Sequence, residues 1–257
     1  MAGRRGSNDR SRGRVDQSNT GRDETRQDAR GARLLKKKVK SARGRTISSK
    51  LWLERQLNDP YVAAAKKEGY RSRAAFKLIE LDDRFGFLFP GARVVDLGAA
   101  PGGWSQITAK RIANIKSSKA HSSRIVAVDI QEIEPIAGVK ALTLDFLDPT
   151  APDEVQKYLG GKVDVVLSDM AAPATGHKQT DHMRIITLCE AALDFACQIL
   201  RPGGHFVAKV LQGGTERDLL LTMKHSFSSV RHAKPKASRA DSAEIYVVAQ
   251  DFKGGGA

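Results

Sequence analysis

Val94-Val95-Asp96-Leu97-Gly98-Ala99-Ala100-Pro101-Gly102-Gly103-Trp104-Ser105-Gln106 is the stretch that decides the fold. Val94 to Leu97 suits a short buried strand, Gly98 to Gly103 a turn of small residues, and Trp104 onward a helix. Asp96 falls at the strand's carboxyl end, and in an open parallel α/β sheet ligands bind just beyond such ends. Gly98, Ala99, Ala100, Gly102 and Gly103 are expected to leave room for a ligand against the backbone. The dinucleotide fingerprint is excluded, because G-x-G-x-x-G read from Gly98 needs glycine at position 100, which is Ala. No Gly-Lys-Ser/Thr follows, so the turn is not a phosphate loop. It suits S-adenosylmethionine, which carries no phosphate. The competing reading is an ordinary βα turn of any α/β protein.

Outward from this turn, short apolar runs alternate with amphipathic stretches. The strand candidates are 93–97, 124–130, 140–144, 163–168 and 205–210, then 227–232 and 244–250. Helices are expected near 103–115, 151–159, 179–200 and 215–225. This rhythm predicts a parallel sheet covered on both faces. The last two strands have no helix between them and predict an antiparallel hairpin, an ending found in S-adenosylmethionine-dependent methyltransferases and foreign to dinucleotide folds. The expected fold is therefore α/β and Rossmann-like, that of a class I methyltransferase, with seven strands, mostly parallel, and a terminal antiparallel hairpin. Before the sheet, Ser48-Ser49 is expected to open one helix, Tyr61–Glu68 to form a second, and Ser72 to cap a third carrying Ala75, Phe76, Leu78 and Ile79.

The formal net charge is +14 over 257 residues, and its location matters more than its size. Residues 1–50 hold 16 Lys and Arg against five Asp and Glu, whereas the remainder holds 27 against 24. Residues 1–45 read as a basic leader too poor in apolar side chains to fold alone, 46–253 as the methyltransferase domain and 254–257 as a flexible tail. A polyanionic partner follows from the leader, since Lys and Arg gain affinity by releasing phosphate counterions. A solubilising leader without a partner is the alternative. Two cysteines, Cys189 and Cys197, form neither a disulfide framework nor a zinc pattern. With no membrane-length apolar run and no secretory signal, a cytoplasmic protein is expected. A monomer is expected as well.

Acidic residues end successive strands. Asp96 ends the first, Asp129 the second and Asp145 follows the third. The second can accept hydrogen bonds from ribose hydroxyls and the third can receive an adenine amino group. Each alone is equally a turn or cap residue. Asp169 closes the fourth strand, on the same carboxyl edge, and Lys209 stands inside the apolar run of the fifth. Glu244 opens the last strand after a long basic loop, expected to be flexible, with Lys234, Lys236 and Arg239. Lys77 lies in the helix before the sheet, in Arg71-Ser72-Arg73-Ala74-Ala75-Phe76-Lys77-Leu78. His177 and His182 suit a loop and helix start, and no metal site is expected. Trp104 either lines the cofactor site or packs at the helix start.

These residues resemble the FtsJ family of RNA 2′-O-ribose methyltransferases, within it the bacterial enzymes acting on a uridine of large-subunit (23S) ribosomal RNA. The resemblance runs from about Leu51 to Phe252. It rests on DLGAAPGGWSQ, on Asp145-Phe146, and on four positions matching the family's Lys-Asp-Lys-Glu tetrad: Lys77 in RSRAAFKL, Asp169 in LSDMAAPATG, Lys209 in FVAKVLQG and Glu244 in SAEIYVVA. The leader is longer and more basic than the family's, and Ile115–Ser123 looks slightly expanded. The resemblance implies S-adenosylmethionine as cofactor and ribosomal RNA, within the large subunit, as partner.

The residue types fit that chemistry. A ribose hydroxyl is a weak nucleophile, whereas a sulfonium methyl is already activated, so the protein must align the atoms and remove a proton. Lys209 is the candidate base, or the group that stabilises the developing alkoxide. Lys77 would disfavour its charged form and Asp169 and Glu244 would favour it. A structural ion-pair network is the competing reading of the four. Lys66, Lys67, Arg71, Arg73, Lys234, Lys236 and Arg239 are candidate phosphate contacts, which position RNA without reading its sequence. Transfer RNA, a messenger cap, or a non-catalytic role in ribosome assembly are the alternative functions.

Overall fold

The computed structural model describes residues 44, 46–113, 124–173, 175–212 and 217–254. Expectations for the leader, for Ile115–Ser123 and for the end of the tail lie outside these residues. Contacts divide the chain into a unit ending at Glu54 and one beginning at Arg55. Helix α1 (Ile47–Leu57) opens in the first. Its cap is Thr46, whose Oγ1 accepts from the Ser49 amide at 3.2 Å, rather than the Ser48-Ser49 pair.

In the second unit, α2 (Pro60–Glu68) starts where Asp59 accepts from the Tyr61 amide at 3.0 Å and stops at Gly69, whose φ of 73° ends the helix. Helix α3 (Ala74–Phe85) buries Ala75, Leu78 and Leu81 along one face. Ser72 does not cap α3, because Arg73 precedes it with helical backbone and no side-chain cap bond. There follow β1 (Val94–Leu97), α4 (Gly103–Ile112), β2 (Ile125–Asp129), β3 (Val139–Thr143), α5 (Ala151–Leu159), β4 (Val163–Ser168), α6 (Lys178–Ile199), β5 (Leu200–Leu211), α7 (Arg217–Ser226), β6 (Phe227–Ala233) and β7 (Glu244–Phe252). β5 begins earlier than the sequence predicts. The chain stays extended through Pro202-Gly203-Gly204, beside a register shift against β4 between Val163 and Val165.

The seven strands lie in the order β3-β2-β1-β4-β5-β7-β6. Neighbours from β3 to β5 are parallel, and β7 is antiparallel to both β5 and β6. Central strands are apolar on both faces, as a doubly covered sheet requires. Val94, Val165, Leu167 and Val207 pack with α3 and α4, whereas Val95, Leu97, Val166 and Phe206 pack with α5, α6 and α7. Strand order reverses beside β1, the crevice where ligands bind in such sheets. Register brings Leu97, Val128, Ser168 and Ala208 level at one rim. The antiparallel β7 then enters the sheet at that same rim, with Glu244 paired to Leu211 and Tyr246 to Lys209.

Candidate active site

Four elements converge on this rim. Lys77 comes from the buried face of α3, Asp169 directly follows β4, Lys209 is in β5 and Glu244 opens β7. The structure brings all four together. Lys77 Nζ lies 2.7 Å from Glu244 Oε1 and 3.9 Å from Asp169 Oδ2. Lys209 Nζ donates to the Asp169 carbonyl at 2.6 Å and to Asp169 Oδ1 at 3.1 Å. Both lysines are buried, at 9% and 8% exposure, so their charges rest on these partners and not on water. Burial alone would push the Asp169 carboxyl up, but Lys209, Lys77 and the Tyr246 hydroxyl outweigh it and hold it below the usual carboxylate range.

Tyr246 is the member that sequence reasoning missed. Its hydroxyl donates to Asp169 Oδ1 at 2.6 Å, accepts from Lys77 Nζ at 3.1 Å and lies 3.3 Å from Glu244 Oε1. Burial, then the neighbouring carboxylates, push its ionisation well above the ordinary tyrosine value, so it stays a donor. The hydroxyl therefore links a Lys77–Glu244 pair to a Lys209–Asp169 pair. The available signal was strand periodicity: on β7 residues 244 and 246 share a face.

Beside this network a cleft of about 850 Å³ opens along the ends of β1 to β4. Gly98, Asp129, Ile130, Asp145, Leu147 and Asp169 are among its lining residues. Its size and mixed lining suit a nucleoside-sized ligand. Asp129 is oriented by the turn itself, accepting from the Ala100 amide at 2.9 Å and the Gln131 amide at 2.8 Å. Asp145 is exposed and accepts from the Leu147 amide at 3.0 Å. Asp96 is buried: Oδ2 accepts from Ser105 Oγ at 2.6 Å, while Oδ1 has no partner. Burial raises its carboxyl to about 7, opposed by the Ser105 hydrogen bond and reinforced by Asp169 and Asp129.

Gly98, Ala99, Ala100 and Gly103 line the cleft or the smaller cavity beside it, and the glycines of the turn also serve the protein's own packing. A Cβ on Gly98 would come within 2.4 Å of Met170 Cγ, on Gly102 within 2.7 Å of Ile136 Cδ1, and on Gly103 within 2.3 Å of Ser72 Oγ. Each clash is with the protein's own packing, so these glycines let α3, the β2–β3 loop and the β4 end close onto the turn. Trp104 is buried, donates from Nε1 to the Ala74 carbonyl at 2.8 Å and packs on Tyr246 at 5.7 Å between ring centres. It also borders a small cavity shared by Asp96 and Asp169. His177 caps α6, with Nδ1 accepting from the Thr180 amide at 3.3 Å.

The basic candidates separate into two groups. Lys66, Lys67 and Lys236 are exposed. Arg71 instead donates to the carbonyls of Pro101, Glu134 and Pro135 at 3.1, 2.7 and 2.8 Å, tying the turn to the β2–β3 loop. Arg73 and Arg239 share Asp59 Oδ2, at 2.7 and 3.4 Å. Lys234 donates to the Ala240 and Ser242 carbonyls at 3.2 and 2.6 Å. The loop 234–243 is thus not the flexible segment expected: Ala237 and Ser238 are buried within it. Its basic composition hides small residues that pack.

A parallel sheet closed by an inserted antiparallel β7, with a nucleoside-sized cleft and a Lys-rich polar cluster on one rim, defines a Rossmann-like methyltransferase. The FtsJ-like methyltransferase family model matches residues 70–252, and the chain belongs to that family. A protein of Parvibaculum lavamentivorans named ribosomal RNA large subunit methyltransferase E is 60% identical over 227 residues, 87% of this chain and 89% of its own. One of the same name from Jannaschia sp. is 60% identical over 227 residues, 88% of this chain and 95% of its own. A solved structure described as a ribosomal RNA methyltransferase of Plasmodium falciparum is 30% identical, with a TM-score of 0.63, and covers 72% of this chain and 100% of its own. Among the described residues no helix is long and apolar enough to cross a membrane.

Proposed function

We propose that this chain methylates the 2′-hydroxyl of a uridine in 23S ribosomal RNA, within the large subunit, using S-adenosylmethionine. The observation that carries the proposal is Lys209, a buried lysine held by both the carbonyl and the carboxylate of Asp169, a residue that lines the nucleoside-sized cleft. The names of the relatives supply the class of RNA.

The cleft fits the cofactor. Asp129 would hold the ribose diol, Asp145 and the exposed Ile130 the adenine end, and Asp96 and Asp169, with the Gly98 turn, the amino-acid end. The unpartnered Asp96 Oδ1 supports this assignment, because a buried carboxylate oxygen without a donor wants a cation or an N–H. The bound cofactor supplies a methyl group activated on sulfonium.

The protein's own task is then to place the ribose oxygen and take its proton. A lysine amine has two N–H groups and one lone pair, and Asp169 occupies two of the three directions around Nζ. In the charged lysine the remaining direction is an N–H open to the ribose oxygen; once that proton has passed to solvent it is the amine's lone pair, which receives the hydroxyl proton. Lys77, paired with Glu244 and 3.9 Å from Asp169, is the second lysine of the cluster and helps hold the Asp169 carboxylate in place. Exposed Lys66, Lys67 and Lys236, with the basic leader, are the phosphate contacts.

Mapping ribose methylation in cells lacking the protein tests the reading. Loss at a large-subunit RNA uridine, restored by the wild-type gene, is the expected result. Loss confined to transfer RNA, or no loss at all, overturns it.

A further inference from the structure

Arg73, Lys77 and Glu80 stand four and three residues apart around α3 and therefore share one face. The loop between β6 and β7 crosses that face. Glu80 accepts from the amides of Lys236 and Ala237, the latter at 3.1 Å from Oε1, and from the Tyr61 hydroxyl at 3.4 Å. Arg73 donates to the Ala237 carbonyl. The peptide at 236–237 is thus gripped through its N–H groups by a residue on one side of Lys77 and through its carbonyl by a residue on the other. The next residue, Ser238, is buried at 6% exposure and donates from Oγ to Glu244 Oε1 at 3.0 Å. That oxygen is the one that binds Lys77 Nζ at 2.7 Å.

We propose that Glu80 and Ser238 are positioning residues for methyl transfer, with Glu80 locking the 236–237 peptide so that Ser238 aims Glu244 at Lys77. The inference rests on the proposed function. The helix that carries Lys77 also carries the clamp, so the lysine and the partner of its partner are set by one rigid element. Two backbone amides on one carboxylate form a charge-assisted grip stronger than neutral hydrogen bonds. Without it the loop keeps its ties through Arg73, Lys234 and Arg239 but the 236–237 peptide shifts, and Glu244 Oε1 loses one of its donors. Neither residue touches the reacting atoms, so the effect is on alignment, where small displacements are costly.

The test is a double-mutant cycle with Glu80→Gln, Ser238→Ala and the pair, measuring transfer of labelled methyl from S-adenosylmethionine to large ribosomal subunits from cells lacking the protein. Each single substitution is expected to lower kcat about tenfold. The KM for S-adenosylmethionine and the melting temperature should stay close to wild type. The double variant should be no slower than the slower single, because the two residues act in series. Unchanged kcat, additive losses, or a loss seen only in KM for the subunits would overturn the inference. Should Glu80→Gln not fold, Ser238→Ala decides alone, since unchanged kcat there shows that the Ser238 hydrogen bond does not aim Glu244. Wild-type protein in the same assay separates the two levels: no wild-type transfer refutes the proposed function, whereas wild-type transfer with unaffected variants refutes only the positioning role.

Discussion

Replacing Asp96 by Asn isolates a buried carboxyl of which one oxygen has no partner among the described residues. In the unfolded chain an aspartate ionises near 3.8, and burial raises Asp96 to about 7. Between those values the folded chain binds a proton that the unfolded chain has released, so Asp96 makes stability fall as pH rises through this window. The fall is complete above the folded value. A gap of about 3 pH units, at about 1.4 kcal/mol each, corresponds to about 4 kcal/mol. Asn keeps an acceptor for Ser105 Oγ and cannot ionise. The stability difference, variant minus wild type, should therefore be small at pH 4, climb by about 1.4 kcal/mol per pH unit and level off just above pH 7. Urea unfolding of both proteins across pH 4 to 8 measures it. Taking the difference cancels carboxylates such as Asp169, whose lowered value contributes stability that is lost only in acid. A difference that is flat across the range would show that the Asp96 carboxylate is solvated in the fold, and the argument from its unpartnered oxygen would collapse with it.

Two further perturbations probe the proposed site. Lys209→Ala should lower methyl transfer by about 10²- to 10⁴-fold while S-adenosylmethionine binding, read by calorimetry, is retained; full activity would remove Lys209 from its role. Gly98→Ala places a Cβ 2.4 Å from Met170 Cγ at a φ of +69°, and should destabilise the protein by about 1–3 kcal/mol. Wild-type stability of that variant in urea would mean that the turn relaxes away from Met170.

The parts of the site that were readable in the sequence are those whose chemistry follows directly from local pattern. Asp96, Asp129 and Asp169 are acidic residues closing apolar runs, and a parallel sheet necessarily lines such ends along one rim. Lys209 was conspicuous because a charge inside a strand of valines must find a partner. What was not readable depends on which distant surface each residue meets. Arg71 and Arg73 have the side chain of a phosphate contact, and nothing local reveals that backbone carbonyls and Asp59 claim them first. Gly98, Gly102 and Gly103 announce a close approach without saying that the approaching group is Met170, Ile136 or Ser72. Tyr246 by itself carries no local signal of a role in the site, because its ring is core and only its hydroxyl is part of the cluster. Its importance follows from topology. β7 enters the sheet at the rim where the parallel strands leave it, so its first inward residues, Glu244 and Tyr246, meet the last residues of β4 and β5. A parallel strand in that position would present its carboxyl end there, and Glu244 and Tyr246, at its start, would lie at the far edge of the sheet. The antiparallel insertion therefore turns two separate lysine–carboxylate pairs into one network, with a single tyrosine hydroxyl between them.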